Sequence, residues 1–275
     1  MEDRPDRRVH LRVLRAIRAA LLECSNMQDG KQSSVAPHPV LSDYYESGEA
    51  RRKKVDAMFD SSAQHYDWIT KMMSFGSGGW YRRQALLRVG VGAGHQVLDV
   101  GAGTGEVSLI EQELVGSDGF VVALDPSKGM LSVAVENGVQ RATMGLGEAL
   151  PFPDNTFDFV TMSYALRHVA DLQAAFEEYR RVLKPGGKML LLEITRPEGA
   201  LTTAALKVYM KGIIPTVTRV FRGSKEAEEL MRYYWDTIDQ CVPPAKILDA
   251  MASAGVSNPQ RNKVMGIFSE YIGSK

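Results

Sequence analysis

The spacing of apolar residues changes along the chain, and from residue 96 onward it predicts strands alternating with helices. Short apolar runs predict buried strands, while apolar residues three and four positions apart predict amphipathic helices. Strands are predicted at Gln96–Val100, Phe120–Leu124, Arg141–Leu146, Phe157–Met162 and Lys188–Ile194. Helices between them are predicted at Thr104–Leu114, Ser127–Asn137 and Asp171–Leu183. This order is typical of βαβ units in a parallel sheet.

The last third of the chain departs from this alternation. Residues 200–240 predict a mostly helical insertion, and Pro243–Ala254 predicts a helix that ends before a glycine. Two final strands are predicted at Gln260–Val264 and Ile267–Ile272, joined by a tight turn. We therefore expect an α/β fold with a doubly wound, mostly parallel sheet and an antiparallel strand at its edge.

The first 48 residues have a different pattern. Residues 1–23 place arginines and apolar residues at helical spacing, which predicts a basic amphipathic helix. Such a helix is typical of a docked segment or a poorly ordered leader, or of a membrane-surface or targeting segment. Residues 24–48 lack periodicity and predict a flexible linker. We therefore divide the chain into residues 1–48 and a domain at 49–275, which starts with a charged run predicted to be a solvated helix face.

Charge and cysteine content limit the class of partner and compartment. Lysine plus arginine equals aspartate plus glutamate at 33 each, which argues against nucleic acid as the main partner. No apolar run approaches the roughly 20 residues needed to span a bilayer. The two cysteines, Cys24 and Cys241, suggest no disulfide framework, and the histidines show no metal-ligand spacing. These features predict a cytoplasmic protein without a metal.

The stretch Val97–Gly105 predicts a buried strand, a glycine-rich turn and the start of a helix. Its glycines are Gly101, Gly103 and Gly105. Because glycine lacks a Cβ and adopts positive φ, such a turn lets a ligand approach the backbone closely. The dinucleotide fingerprint would require glycine at Glu106. Asp99, inside the strand, would repel a pyrophosphate but not a ligand with an amino group. The turn therefore favours S-adenosylmethionine over NAD.

Further candidates lie at the carboxyl ends of the predicted strands, where open α/β sheets bind ligands. Asp125 ends the second strand, and its carboxylate could accept hydrogen bonds from both ribose hydroxyls; capping the next helix is the alternative. Thr104 enters the first helix and could cap it or help to bind the carboxylate of an amino acid. Leu146 and Gly147 follow the third strand, and Ser163 follows the fourth. These residues meet only in a doubly wound sheet.

Several of these segments resemble a known family. Val97–Gly105 resembles the first motif of class I S-adenosylmethionine-dependent methyltransferases, and Ala149–Asp158 and Tyr179–Gly187 are similar to further signatures of that superfamily. Met58–Ser61, Met73–Gly76 and Ala165–Asp171 resemble the ubiquinone/menaquinone C-methyltransferase family of the UbiE type. The resemblance implies a Rossmann-like class I methyltransferase fold with a seven-stranded sheet, and S-adenosylmethionine as cofactor.

The resemblance also implies roles for individual residues. Thr104, Asp125, Leu146, Gly147 and Ser163 would line the cofactor pocket. Tyr66 would approach the amino-acid end of the cofactor, with a role as a core tyrosine as the alternative. Two positions depart from the family pattern. Leu146 stands where Asp or Asn commonly holds the adenine amino group, so a backbone group must supply that contact. His168 stands where the family usually has Asn.

Methylation of an aromatic carbon needs a phenolate, and a general base with a pKa near neutrality suits that task. His168 is the first candidate base, with a backbone-bonded histidine at a helix entry as the alternative. His65 is the second candidate, and a bound water or an already ionised phenol would replace either. Aromatic residues of the insertion could form a lid over a flat quinol or belong to the core. They are Tyr209, Phe221, Tyr233, Tyr234 and Trp235.

The sequence therefore predicts a methyltransferase acting on a quinol ring carbon. The alternatives are an O- or N-methyltransferase of a small aromatic or secondary metabolite, and a non-catalytic methyltransferase-like scaffold in a biosynthetic complex. Arg51–Lys54 and the N-terminal arginines would allow peripheral contact with an anionic membrane. If residues 1–23 were a transit peptide, the location would be the mitochondrial matrix, although acidic residues near the start argue against one. The oligomeric state, a homodimer included, stays open.

Overall fold

The computed structural model describes residues 34–41, 44–45, 51, 54–55, 57–61, 63, 68, 70, 74, 76–217 and 225–275. The predicted basic helix at residues 1–23 lies outside the described residues.

A seven-stranded sheet forms the centre of the domain, in the order β3-β2-β1-β4-β5-β7-β6. The strands are β1 Gln96–Val100, β2 Phe120–Asp125, β3 Ala142–Met144, β4 Phe157–Ser163, β5 Leu183–Ile194, β6 Ser257–Val264 and β7 Phe268–Ser274. Strands β1 to β5 are parallel, and β7 is antiparallel to both β5 and β6. The predicted doubly wound, mostly parallel sheet is confirmed. The antiparallel strand lies one position inside the edge, with β6 outside it.

Helices cover both faces of this sheet. They are α1 Gly78–Val89, α2 Glu106–Val115, α3 Lys128–Glu136, α4 Leu172–Val182, α5 Ala200–Val208, α6 Lys225–Asp239 and α7 Pro244–Ser253. A 3-10 turn spans Leu166–His168, and a π-helical turn spans Tyr209–Ile213. Helical residues are also described at 51, 54–55, 57–61, 63, 68 and 70; the part from 51 to 63 is called here the N-terminal helical segment. Within the described part of the chain, no helix is long and apolar enough to cross a membrane.

Alternation along β1 separates two layers of the core. Leu98 packs in a cluster with Phe176 and Tyr179 of α4, whereas its neighbour Val97 packs with Leu86 of α1 on the opposite face. This follows from the period of two in a strand. Burying a side chain such as that of Phe176 stabilises the fold by about 1.5–3 kcal/mol. Helices therefore pack on both faces of the sheet, whereas the carboxyl ends of its strands stay open to a ligand site.

Element boundaries differ from the prediction where tertiary pairing decides them. The sequence predicts a helix that ends at Leu183 and a strand that begins at Lys188, but α4 ends at Val182 and β5 begins at Leu183. Leu183 pairs with Phe157 of β4 across a bulge, which extends the strand toward its amino end. The predicted third strand shrinks to β3, because Leu146 turns to form a bridge with Ala149.

Part of the stretch predicted to be a linker packs against the domain. The N–H of Val35 donates to the Asp171 carboxylate at 3.2 Å, and its carbonyl accepts from the N–H of Leu172 at 2.9 Å. The carbonyl of Pro37 accepts from the N–H of Val242 at 2.8 Å. These bonds join residues 34–41 to the start of α4 and to the segment before α7.

The helical character of residues 200–240 is confirmed over 200–217 and 225–239. Met210, Ile214 and Trp235 of this region form one apolar cluster with Val55 and Met58 of the N-terminal helical segment. The insertion and that segment therefore form a second small core, which lies beside the carboxyl edge of the sheet.

Candidate functional site

A cavity of about 530 Å³ opens at the carboxyl ends of β1, β2 and β4. This volume lies within the range of about 300–1,000 Å³ that is typical of small-molecule sites. The predicted site residues that line the cavity are Gly101, Gly103, Asp125, Leu146, Gly147, Ser163 and His168. Asp99, Thr104 and Gly105 do not line it. His65, Tyr66 and Phe221 lie outside the described residues. The doubly wound sheet thus brings most of the predicted positions to one place.

The three glycines of the turn all have positive φ but differ in surroundings. A Cβ on Gly101 would lie 2.6 Å from Cβ of Ala165, and one on Gly105 would lie 2.4 Å from Cγ2 of Val139. A Cβ on Gly103 would meet nothing within 4 Å, and Gly103 faces the cavity. Gly105 therefore permits close packing behind the turn, whereas Gly103 leaves space where a ligand can reach the backbone.

The helix after the turn begins later than expected. Its first residue is Glu106, and Gly105 occupies the N-cap position without a side-chain hydrogen bond. Thr104 is buried and its carbonyl accepts from Nδ2 of Asn137 at 3.1 Å. The expectation that Thr104 caps this helix is therefore wrong. Thr104 does not line the cavity, and its predicted role at the cofactor pocket stays a prediction.

Asp99 lies beneath the turn rather than on the cavity surface. One carboxylate oxygen accepts from Oγ of Ser108 at 2.6 Å. Glu111, which accepts from Oγ1 of Thr161 at 2.7 Å, lies close enough to interact electrostatically with it. Burial raises the pKa of both acids. The charge of Asp125 raises the pKa of Asp99 further, and the charge of Asp99 raises that of Glu111. Asp99 does not line the cavity, and its predicted part in cofactor binding stays a prediction.

Asp125 joins the turn to the start of α3. One carboxylate oxygen accepts from the N–H of Gly103 and the other from the N–H of Ser127, both at 2.8 Å. The N-cap of α3 is Ser127, whose Oγ accepts from the N–H of Met130 at 3.0 Å. Ser127, and not Asp125, therefore caps α3. Asp125 faces the cavity, and each carboxylate oxygen can accept a further hydrogen bond.

Leu146 and Gly147 form the cavity wall after β3. A Cβ on Gly147 would lie 2.6 Å from Oη of the buried Tyr179, so a larger residue would displace the core. The next residue, Glu148, also lines the cavity, and its Oε1 accepts from the N–H of Ala170. Backbone groups and an apolar side chain therefore dominate this wall.

His168 lies in an aromatic environment at the far end of the cavity. Its ring stacks on Tyr233, with centroids 5.5 Å apart, and meets the edge of Phe59 at 5.2 Å. Nδ1 lies 3.3 Å from Oη of Tyr233, and Nε2 has no hydrogen-bond partner among the described residues. Burial lowers the pKa of His168 well below its ordinary value, and the cations Arg167 and Arg51 lower it further.

These contacts change the interpretation of His168 twice. The ring is not bonded to backbone, and the N-cap of α4 is Asp171, so the alternative of a backbone-bonded histidine at a helix entry is wrong. A histidine whose pKa is far below neutrality is uncharged at pH 7 and is a weak base. The imidazole can still donate or accept a hydrogen bond in its neutral form.

Arg51 is a cavity residue that the sequence analysis placed in solvent. It is 9% exposed, and its Nη2 donates to the carbonyls of Arg167 at 2.8 Å and Val169 at 3.2 Å. The expectation of a solvated helix face is therefore wrong at this position. A signal was present: Arg51, Val55 and Phe59 follow one another at four-residue steps and thus share one helix face. All three line the cavity.

The aromatic residues of the insertion serve mainly as core. Tyr233, Tyr234 and Trp235 are buried in the cluster shared with the N-terminal helical segment. Tyr234 also lines the cavity, and the guanidinium of Arg167 lies 4.8 Å from its ring centre. Arg167 forms a buried ion pair with Glu193. Core packing and the cavity wall are therefore combined in α6.

Comparison with known proteins places the chain in a family. A model of the ubiE/COQ5 methyltransferase family matches residues 47–275. The chain belongs to this family. The ubiquinone/menaquinone biosynthesis C-methyltransferase UbiE of Francisella philomiragia is 33% identical over 235 residues, which cover 82% of this chain and 93% of that protein. The UbiE of Pseudoalteromonas translucida is 33% identical over 226 residues, which cover 79% of this chain and 89% of that protein.

Solved structures support the same fold. A S-adenosylmethionine-dependent methyltransferase from Aquifex aeolicus matches with a TM-score of 0.55 and 19% identity, over 76% of this chain and 97% of that chain. Phosphoethanolamine N-methyltransferase 2 of Haemonchus contortus, solved with S-adenosylmethionine, matches with a TM-score of 0.57 and 19% identity. The match covers 78% of this chain and 57% of that chain. At such identities the likeness shows the fold alone. The predicted family, fold class and cofactor are confirmed.

Proposed function

We propose that this chain transfers a methyl group from S-adenosylmethionine to a ring carbon of a quinol precursor in ubiquinone or menaquinone biosynthesis. The main support is a single cavity that runs from the glycine turn and Asp125 to the aromatic ring of His168. One end suits a nucleoside and the other suits a flat ring. The UbiE relatives are named C-methyltransferases and match this chain over most of their length, which supports the same reaction.

The cofactor end has groups that suit an adenosine carrying an amino acid. The open space at Gly103 fits the cofactor, because a Cβ there would meet no protein atom within 4 Å. Asp125 lines the cavity, and its carboxylate would accept hydrogen bonds from the ribose hydroxyls. Leu146 would pack on the adenine, with backbone groups at Gly147 supplying polar contacts. Gly101 and Ser163 also line the cavity, which supports a part for both in cofactor binding.

The acceptor end suits an aromatic ring. Phe59, Val55, Val169 and Tyr234 provide apolar walls, and His168 supplies a neutral imidazole among them. A site of this kind binds a flat apolar ring mainly through the area removed from water. His65 as the second candidate base and Tyr66 at the amino-acid end of the cofactor stay predictions, since both lie outside the described residues.

The chain contributes position and exclusion of water. When bound, S-adenosylmethionine supplies an electrophilic methyl group for in-line displacement. Asp125 and the turn would hold the nucleoside, while Phe59 and Tyr234 would orient the ring carbon toward the methyl group. Such orientation can lower a barrier by several kcal/mol, up to about 7–11 kcal/mol in the best intramolecular cases.

Analysis of the cell's quinones tests the proposal. In cells that lack this protein, a quinone that is one methyl group lighter should accumulate, and the wild-type gene should restore the normal mass. Fragmentation should place the missing methyl on a ring carbon. An unchanged quinone pool would contradict the proposal. A missing methyl on oxygen or nitrogen would support the alternative acceptor classes, and failure to bind cofactor in calorimetry would support a scaffold.

We also infer peripheral contact with the membrane that holds the acceptor. Leu201, Val208 and Ile213 are 84%, 61% and 50% exposed, on α5 and the π-helical turn after it. Residues 200–217 contain lysines but no aspartate or glutamate. An exposed apolar face with positive charge suits an anionic lipid surface. Arg51 cannot contribute to it, because it faces the cavity.

Vesicle flotation tests this contact. We propose a domain boundary before residue 34, because residues 34–41 contact α4, so the shortened chain should start there rather than at 49. Both the full chain and the residue-34-start chain should float with anionic vesicles. The double substitution Leu201→Glu and Val208→Glu should abolish flotation, while Arg83→Met on the exposed side of α1 should not. Equal, negligible binding by all chains would refute the contact.

A further inference from the structure

A buried cation that pairs with no carboxylate of the described residues lines the acceptor end of the cavity. Arg51 is bonded to two backbone carbonyls, those of Arg167 and Val169. In the described part of the chain no carboxylate forms an ion pair with it, although the nearby Arg167 is paired with Glu193. Carbonyl oxygens satisfy donors but leave the net charge in place. A buried charge is stable when it is paired, so this end of the cavity favours an anion.

The other groups around Arg51 do not cancel this charge. His168 and His38 are held neutral: burial lowers the pKa of His38 to about 4 and that of His168 well below its ordinary value. Burial raises the pKa of Tyr233 and Tyr45, so both hydroxyls stay protonated at neutral pH.

The acids of the cavity lie away from this cation or are engaged elsewhere. Asp125 accepts from two backbone N–H groups at the cofactor end, and Glu148 accepts from the N–H of Ala170. Glu193 is paired with Arg167. Glu148 keeps its negative charge, but among the described residues no carboxylate forms an ion pair with Arg51, whose charge is therefore available to an anion at the acceptor end.

We propose that Arg51 binds the acceptor as a phenolate, so that its charge, and not proton removal by His168, activates the ring carbon. This inference rests on the proposed function and names the ionisation state of its substrate. The phenol proton goes to solvent on binding. The ring carbon then forms a bond to the methyl carbon as the methyl–sulfur bond breaks, with its electron pair left on sulfur. The ring proton finally leaves to water, and the phenolate is restored.

The magnitude of the effect can be bounded. A phenol with a pKa of about 10 is ionised in roughly one molecule in a thousand at pH 7. An opposite charge within about 4–6 Å lowers the pKa of an acid by about 1–3 units. Arg51 would therefore raise the reactive fraction at pH 7 by about 10-fold to 500-fold.

A second anion could use the same cation, namely the carboxylate of the cofactor. The surroundings favour the acceptor, because Arg51 lies among Val55, Phe59 and His168 rather than at the glycine turn. The cofactor carboxylate and the acceptor phenolate would each present an anionic oxygen to Arg51. The experiment therefore measures cofactor binding and acceptor ionisation separately.

The first arm uses three variants of the full chain. Arg51→Met removes the charge, Arg51→Lys keeps it, and Arg83→Met removes an exposed charge that is paired with Glu113 on the surface. The pH profile of kcat with a demethylated quinol reports ionisation in the enzyme–substrate complex, and it should rise at a pH at least one unit higher in Arg51→Met than in wild type. Arg51→Lys should shift it less and Arg83→Met not at all. The Kd for S-adenosylhomocysteine should change by less than threefold. A tenfold weaker Kd with an unshifted profile would overturn the proposal in favour of the cofactor carboxylate.

The second arm needs no turnover. 4-Nitrocatechol, whose phenolate absorbs visible light, is titrated with pH when bound to the wild-type protein with S-adenosylhomocysteine. Its pKa should fall by one unit or more relative to the free probe, and Arg51→Lys should retain part of that shift. An absent shift, or no binding of the probe, would overturn the proposal even if Arg51→Met fails to fold. A clear shift without methyl transfer to any quinol would instead contradict the proposed function.

Discussion

Replacing Gly103 with alanine separates cofactor binding from folding. The residue has a φ of +56°, and a Cβ there would project into open space beside the cavity. An L-residue in the left-handed region costs about 1–2 kcal/mol. In a domain of this size, that loss lowers the melting temperature by about 2–8 °C. The fold should therefore survive the substitution.

The cofactor should be affected more strongly. The added methyl group would occupy space that a nucleoside needs against the turn, and such overpacking costs about 1–3 kcal/mol. That energy weakens the Kd for S-adenosylhomocysteine by about 5-fold to 150-fold. Gly101→Ala should give the opposite balance, because its Cβ would lie 2.6 Å from Cβ of Ala165 and would strain the protein itself.

Calorimetry with S-adenosylhomocysteine and thermal unfolding without ligand give the two quantities. Gly266→Ala is the matched control: Gly266 has a φ of +76°, open space around its Cβ position, and a place in the β6–β7 hairpin away from the cavity. The control should lose stability but not affinity. If Gly103→Ala binds within twofold of wild type while its stability falls as in Gly266→Ala, the placement of the cofactor against the turn is refuted.

Three further substitutions test individual residues. Asp125→Ala should weaken cofactor binding by about 1–3 kcal/mol in calorimetry, because a charged acceptor is lost, and unchanged affinity would remove Asp125 from the ribose site. His168→Asn should reduce kcat by less than about tenfold, since a histidine with a lowered pKa is a weak base, whereas a loss beyond about 100-fold would restore it as the base. Asp99→Asn should alter stability against pH. The raised pKa means that the folded chain binds the proton more tightly than the unfolded chain, so wild-type stability should fall as pH rises from 3.8 toward about 7, and this fall should shrink in the variant. If the melting temperatures of wild type and Asp99→Asn fall in parallel over this range, Asp99 is not the cause of the pH dependence.

The glycine turn and the strand ends could be predicted because local chemistry decides them. Positive φ at Gly101 and Gly103 follows from residue type, and the position of Asp125 follows from the end of a short apolar run. Once the sheet is doubly wound, these residues must meet at its carboxyl edge. The same argument placed Ser163 and His168 beside them.

Other features depend on distant parts of the chain. Arg51 was placed in solvent because a charged run usually lies there, but its helix packs against Arg167 and Val169, whose carbonyls accept its hydrogen bonds. The early start of β5 requires Phe157 as a partner, and the docking of residues 34–41 requires Asp171. Arg51 leaves a local signal in its four-residue spacing from Val55 and Phe59, but the other two contacts leave none. Asp99 shows the same limit, since its burial beneath the turn follows from packing against α2.

Transfer of a deuterated methyl group tests the central claim most directly. The purified full chain is incubated with S-adenosylmethionine that carries the label and with a reduced demethylquinone, and the product is examined by mass spectrometry and NMR. The account predicts a quinol with the deuterated methyl on a ring carbon, formed only when protein is present. A label found only on oxygen or nitrogen, or no labelled product although the cofactor binds, would contradict it.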